Sequence, residues 1–197
     1  MNILNERLRF PFEDKDWILK LLLGSLICIV PVLNILALGY FFKCAESGTR
    51  GHMFLPDWKN WGELLQDGLA VLLVLLFYTS IPLMAGFLIS LIPIVGYVLS
   101  AILLIIIGTI IPMGVAAYAV RRDLRDAFNL PELWYLLCRV INEYMPAYFG
   151  ALVMIVVGLS LLFALPFLGI IGGALIFYTG VVFSNYIGML YNYATLR

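Results

Sequence analysis

The chain is predicted to be an all-α membrane protein of repeated transmembrane helical hairpins, with four full spans plus a short N-terminal re-entrant hairpin. Three observations predict this. First, none of the 12 basic and 12 acidic residues falls in residues 21–42, 68–120 or 144–196. An ionised side chain is costly in hydrocarbon, so stretches without charge mark where lipid lies. Second, the chain is 63% hydrophobic with a mean hydropathy of +1.03, whereas a soluble domain is about 45–50% apolar. Third, the two longer gaps, 68–120 and 144–196, are too long for one crossing and suited to two. A helix crosses about 30 Å of hydrocarbon in about 20 residues. Helices are expected rather than a barrel, because residues 99–107 are apolar everywhere except Ser100 and barrel strands alternate.

Three landmarks recur along the chain. The first is an apolar Pro turn: Val30-Pro31-Val32-Leu33-Asn34, Ile92-Pro93-Ile94-Val95-Gly96 and Leu165-Pro166-Phe167-Leu168-Gly169. The second is a tyrosine before a basic residue: Tyr40 with Lys43, Tyr118 with Arg121, and Tyr193 with Arg197. The third pairs Leu55-Pro56-Asp57-Trp58 with Leu130-Pro131-Glu132-Leu133-Trp134. Recurrence in a fixed order predicts an internal repeat, here a single integral membrane domain with units 10–50, 56–125 and 131–197. In each unit a helix starts at a Trp-bearing acidic segment, runs inward, turns at Pro, and returns to a Tyr and a basic residue.

Unit 1 is the short one. Its arms around Pro31 are about half length, which leaves two readings. One is a re-entrant hairpin; the other is a single span of residues 20–42 kinked at Pro31. The positive-inside rule favours the hairpin, which keeps all 12 basic residues on one side. Non-helical backbone at Pro31–Asn34 then needs cover, so the later hairpins are expected to wrap unit 1. Units 2 and 3 supply the full spans, near 65–91, 95–120, 144–164 and 168–195. Asn60 with Glu63 and Asn129 with Glu132 have capping-box spacing and are expected to open helices. Trp17, Trp58, Trp61 and Trp134 all fall on the charged side, where amphipathic rings suit the headgroups.

Charge and cysteine usage narrow the function. Net charge is zero, so no nucleic-acid partner is expected. Cys28, Cys44 and Cys138 have no metal-ligand or disulfide spacing, and no metal or other cofactor is expected. The N-terminus is polar through Lys20 and no small-residue cleavage site follows, so no signal peptide is expected; no lipid-anchor motif is expected either. The long gaps lack the ionisable residue on which ion-coupled transport relies. His52 is the only histidine, and no catalytic motif accompanies it. Asp14 with Asp16 and Asp123 with Asp126 read as surface charge. No catalytic residue is assigned.

What remains is a set of candidate contacts. Trp58, Trp61, Arg121, Arg122 and Arg125 are candidates for lipid headgroups, with topology control as the simpler role for the arginines. Pro82 and Pro112 each break a helix ladder, and Thr79, Ser80 and Thr109 lie within a turn of them. These five form the candidate solute path, because broken helices build transporter sites. Gly180, Ser184 and Gly188 give the last span a small-residue face for close helix packing, within the monomer or across a homo-oligomer. Asn185, with Tyr186 and Asn192 nearby, is expected to hydrogen-bond a neighbouring helix.

The runs Arg9-Phe10-Pro11-Phe12-Glu13-Asp14-Lys15-Asp16-Trp17, Gly39-Tyr40, Leu55-Pro56-Asp57-Trp58 and Trp61-Gly62-Glu63-Leu64-Leu65-Gln66-Asp67-Gly68 resemble the uncharacterised domain-of-unknown-function family 4013 of archaea and bacteria. The resemblance is sharpest over residues 9–70. It implies a multi-pass prokaryotic membrane protein with no established activity and no catalytic residues to carry over. The expected function is therefore non-enzymatic: a module organising membrane lipid or a partner protein from its cytoplasmic face, in the prokaryotic cell (inner) membrane, with both termini cytoplasmic. The alternative is a carrier or channel for a neutral or apolar solute.

Overall fold

The computed structural model describes residues 8–89, 95–164 and 168–196. Those residues contain no strand. After a 3-10 turn at Phe10–Glu13 come α1 (Trp17–Ile29), α2 (Asn34–Thr49), α3 (Trp61–Ile89), α4 (Val95–Arg121), α5 (Leu124–Ala127), α6 (Leu130–Arg139), α7 (Ile141–Ala164) and α8 (Gly169–Leu196). Helices α3, α4, α7 and α8 are long and apolar enough to cross a membrane. They correspond to the four expected spans, extended at the charged end: α3 begins at Trp61 rather than 65, and α7 at Ile141 rather than 144. The expected turns at Pro93 and Pro166 lie outside the described residues. The protein is an all-α, multi-pass membrane protein.

Pro31 explains why α1 and α2 are two helices. The ring disfavours helical backbone at the preceding residue, and Val30 is extended, with φ −91° and ψ 113°. The turn then bonds to itself. The Leu33 and Asn34 amides donate to the Val30 carbonyl at 3.0 and 3.1 Å. The two helices run in opposite directions along α8: Gly24 lies against Phe177 and Gly173 against Ser25 and Ile29, whereas Gly180 meets Phe41 and Gly188 meets Ala45. The chain therefore doubles back, and residues 20–42 are not one kinked helix.

The second helix of each hairpin sits at the centre, and the first packs outside. Helices α2, α4 and α8 contact one another and run in parallel; for α2 and α4 the Phe42–Tyr118 ring contact at 4.9 Å is followed one turn on by the Glu46–Arg122 ion pair at 3.0 Å. Helix α3 packs on α2 and α4, α1 on α8 and α2, and α7 on α8. Helix α7 also reaches α4, where the Tyr144 hydroxyl donates to the Thr109 carbonyl at 2.6 Å. The expectation that the later hairpins wrap unit 1 holds for α2 and fails for the turn. Val32 is 77% exposed, and Val30, Pro31, Leu33 and Asn34 are exposed too. The Leu33 and Asn34 amides are satisfied inside the turn by the Val30 carbonyl, which lessens the cover it needs.

Helices α2 and α3 cross at backbone contact. A Cβ on Gly39 would overlap the Leu64 carbonyl, and one on Gly68 the Ile35 carbonyl. The expected capping boxes are only side-chain pairs: Asn60 Nδ2 to Glu63 Oε2 at 3.4 Å and Asn129 Nδ2 to Glu132 Oε2 at 2.7 Å. Asn60 sits at φ 55°, so its backbone carbonyl, rather than its side chain, takes the Glu63 and Leu64 amides at 2.9 and 3.1 Å.

Candidate functional site

Most charged groups gather at one end of the bundle, in two networks. The first joins α2, α3 and the residue after α4. Asp67 lies on the apolar face of α3 with Leu64, Gly68 and Val71, and is only 2% exposed. Its Oδ1 takes Arg122 Nη1 at 2.6 Å, while Oδ2 has no hydrogen bond and stands 3.8 Å from Lys43 Nζ. Arg122 also reaches Glu46 at 3.0 Å and lies over the Phe42 ring at 4.7 Å. Lys43 pairs with Glu63 at 2.9 Å, and Arg50 with Glu46 at 2.8 Å. Arg122 holds φ 55°, a left-handed backbone that costs about 1–3 kcal/mol and that this network secures.

The second network fastens the N-terminal segment. Lys20, 7% exposed, contacts Asp14 at 2.8 Å, Asp57 at 2.9 Å and the Leu55 carbonyl at 3.1 Å. Trp58 Nε1 donates to the Lys20 carbonyl at 3.2 Å, and its ring stacks on Tyr40 at 4.4 Å. The Tyr40 hydroxyl donates to the Pro56 carbonyl at 2.8 Å. Phe10, Tyr40 and Leu55 share one core cluster with Phe177 and Val181. The motif residues that carry the family resemblance thus meet in space and hold the first hairpin to the α2–α3 loop.

Hydrogen bonds from Lys59 and Lys20 hold the Asp57 carboxyl at about 2. Burial pushes Asp14 up, but hydrogen bonds from Lys20 and the Asp16 amide outweigh it, and the carboxyl rests below its ordinary value. Both carboxylates favour the folded state when ionised. Their contribution is complete above the ordinary value of 3.8 and is lost as pH falls toward about 2. Lys20→Met is expected to remove roughly 2 kcal/mol and to speed trypsin cleavage after Arg9 and Lys15 at neutral pH. Unchanged cleavage would sink the fastening role.

The candidate headgroup contacts separate into committed and open groups. Trp58 is half-buried and engaged. Arg122 is spent on Asp67 and Glu46, and Arg121 pairs with Asp126 at 3.2 Å and Glu132 at 4.0 Å. Trp61 is exposed, and the Arg125 guanidinium is exposed with no ion pair among the described residues. Trp134 and Tyr135 on α6 are exposed at the same end. Arg139 turns inward, donating to the Ala194 carbonyl at 2.9 Å near the end of α8, where a cation complements the helix dipole.

The candidate solute path does not assemble into one cavity. The Thr79, Ser80 and Thr109 hydroxyls donate to the Leu75, Phe77 and Ile106 carbonyls of their own helices, each at 2.7 Å. Ser80 is exposed and Thr109 buried. Pro82 and Pro112 sit inside helices that continue past them. Pro112 alone of the five lines an apolar cavity of about 150 Å³ where α2, α4 and α8 meet, together with Phe41, Ala45 and Ser184. The small-residue face Gly180–Ser184–Gly188 is occupied within the chain, by Phe41 and Ala45 of α2. Asn185 Nδ2 donates to the Cys44 and His52 carbonyls at 3.2 and 3.1 Å, and Asn192 to the Thr49 carbonyl at 2.8 Å.

Sequence reasoning missed Lys20, Asp67 and the Gly39–Gly68 crossing. Asp67 carried a legible signal: a carboxylate sharing a helical face with Leu64, Gly68, Val71 and Val74 has to be paired. A second apolar groove, of about 270 Å³, runs between α7 and α8 and had no sequence signal.

No curated protein and no solved structure matches the chain. The DUF4013 family model, described as proteins of unknown function, matches residues 22–177. The match stops short of the Phe10–Trp17 run and extends well beyond residue 70. Covering most of the chain, it places this protein in the DUF4013 family.

Proposed function

We propose that the protein is a non-enzymatic membrane module that organises lipid or a partner membrane protein from its charged end. The observation that carries this reading is how the polar groups of the spans are used: the Thr79, Ser80 and Thr109 hydroxyls are spent on their own helices, and ion pairs tie α2, α3 and the end of α4 together at the charged end. Trp61, Trp134, Tyr135 and Arg125 supply exposed aromatic and basic groups at that end, as a headgroup belt requires. Protein purified in mild detergent is expected to retain lipid. Proteoliposomes are expected to hold back glycerol as well as protein-free vesicles do. The second reading, a carrier for a neutral or apolar solute, draws on the cavity beside Pro112. Solute flux that Pro112→Ala abolishes would replace the first reading with the second.

On this reading the charged end and both termini face the cytoplasm of a prokaryotic cell, the orientation that the positive-inside rule favours. Cys138 is exposed on α6, while Cys44 is buried and Cys28 half-buried. A membrane-impermeant maleimide should therefore label Cys138 in inverted vesicles and not on intact cells. The opposite pattern would reverse the orientation.

A further inference from the structure

The two sides of α8 meet the membrane at different depths. On the α7 side the last charge is Glu143, just before residues 144–196. The Tyr186 hydroxyl donates to its carbonyl at 3.3 Å. From there α7 runs without charge to Ala164, a rise of about 30 Å, which matches the hydrocarbon thickness.

On the α1 side polar structure reaches further down. The loop after α2 starts beside Asn192, passes Asn185 at the His52 carbonyl, and brings the Trp58 ring to 5.9 Å from Phe177. Phe177 lies about 13 Å deeper along α8 than Tyr186. The N-terminal segment reaches the same depth, where the Tyr178 hydroxyl donates to the Leu8 carbonyl at 2.5 Å and its ring lies 5.5 Å from Phe12. Asp57 and Lys59, on either side of Trp58, are exposed. Met53 and Phe54 are exposed too, and their amides donate to nothing among the described residues. Exposed charges and unpaired amides do not face hydrocarbon. The apolar surface left on this side is α1, with Ile18, Leu19, Leu22 and Leu26 exposed, and its 13 residues rise about 20 Å.

We propose that this face thins the leaflet on the charged side by about 10 Å and gathers phospholipids with short acyl chains around α1. The inference rests on the lipid reading above and supplies its means. A bilayer meets a short apolar face by thinning, and short chains thin it at the least cost. The selection is by chain length and not by headgroup.

The test treats proteoliposomes of the full chain with a membrane-impermeant maleimide and reads each cysteine by mass spectrometry. Cys138, exposed at the charged end, is the internal standard. Val153, exposed on α7, marks the depth of Tyr178, because Tyr186 meets Glu143 and Gly172 meets Gly158 on the same two helices. Lys59→Cys and Phe54→Cys are each expected to react within roughly threefold of the Cys138 rate, and Val153→Cys at least roughly a hundredfold more slowly. In detergent all three are expected to react alike. The second arm reconstitutes wild type in mixed dimyristoleoyl, dioleoyl and dierucoyl phosphatidylcholine. Lipid retained after extraction with styrene–maleic acid copolymer is expected to be enriched roughly twofold in the shortest chain. If the loop variants melt as wild type and are as protected as Val153→Cys, the thinning is overturned while the headgroup belt stands. If they label but the retained lipid matches the bulk mixture, the protein sorts no lipid, and the lipid reading falls with the proposal.

Discussion

Arg122→Gln is expected to destabilise the protein by about 3 kcal/mol or more, and Asp67→Asn by only about 1 kcal/mol. The two residues share one ion pair, yet their surroundings differ. The Asp67 side chain is 4% exposed and that of Arg122 is 40% exposed. Removing Arg122 strands a buried carboxylate whose nearest remaining cation, Lys43, stands at 3.8 Å and is already engaged by Glu63. Removing the Asp67 charge leaves Arg122 hydrated and still paired with Glu46. The double variant should recover most of the Arg122→Gln loss, because no stranded charge is left. Thermal or denaturant unfolding in detergent measures all three. Equal single losses, or no recovery in the double variant, would show that Asp67 does not need Arg122.

Gly39→Ala or Gly68→Ala is expected to cost more than the roughly 1–3 kcal/mol of ordinary overpacking, and the leucine variants are expected not to fold. At both positions the obstacle is the carbonyl of the facing helix, Leu64 for Gly39 and Ile35 for Gly68. A side chain can rotate away; a helix backbone cannot, so α2 and α3 would have to separate along their length. Gly62→Ala is the control. It lies on α3 with nothing within 4 Å of its Cβ, and alanine favours helix over glycine by about 1 kcal/mol. Yields and melting temperatures in detergent decide this. Gly39→Ala behaving like Gly62→Ala would refute the backbone crossing.

The spans were legible because the penalty for charge in hydrocarbon writes directly onto the sequence. The gaps 68–120 and 144–196 became α3–α4 and α7–α8 with ends shifted by a few residues. Pro31 was legible for the same kind of local reason, since its ring acts on its neighbour whatever surrounds it. Pairings across the chain were not legible. Arg122 and Asp67 are 55 residues apart, and a run of charges such as Arg121, Arg122, Asp123 and Arg125 does not reveal which member turns inward. The same limit applies to glycine. Gly180, Ser184 and Gly188 show their spacing on one helix, while Gly39 and Gly68 matter as a pair only once α2 and α3 cross. The motif around Phe10, Tyr40 and Asp57 could be recognised from sequence, but its meeting point under Lys20 and Trp58 could not.

Helix α8 touches α1, α2, α4, α6 and α7, and it is the last of these to leave the ribosome. Chains emerge from the N-terminus first. Until α8 arrives, Gly24 and Phe41 face the space that Phe177 and Gly180 will fill, and the parts of the bundle have no common partner. Helices α2, α3 and α4 can pack on one another before then, whereas α1 and α7 gain their main partner only with α8.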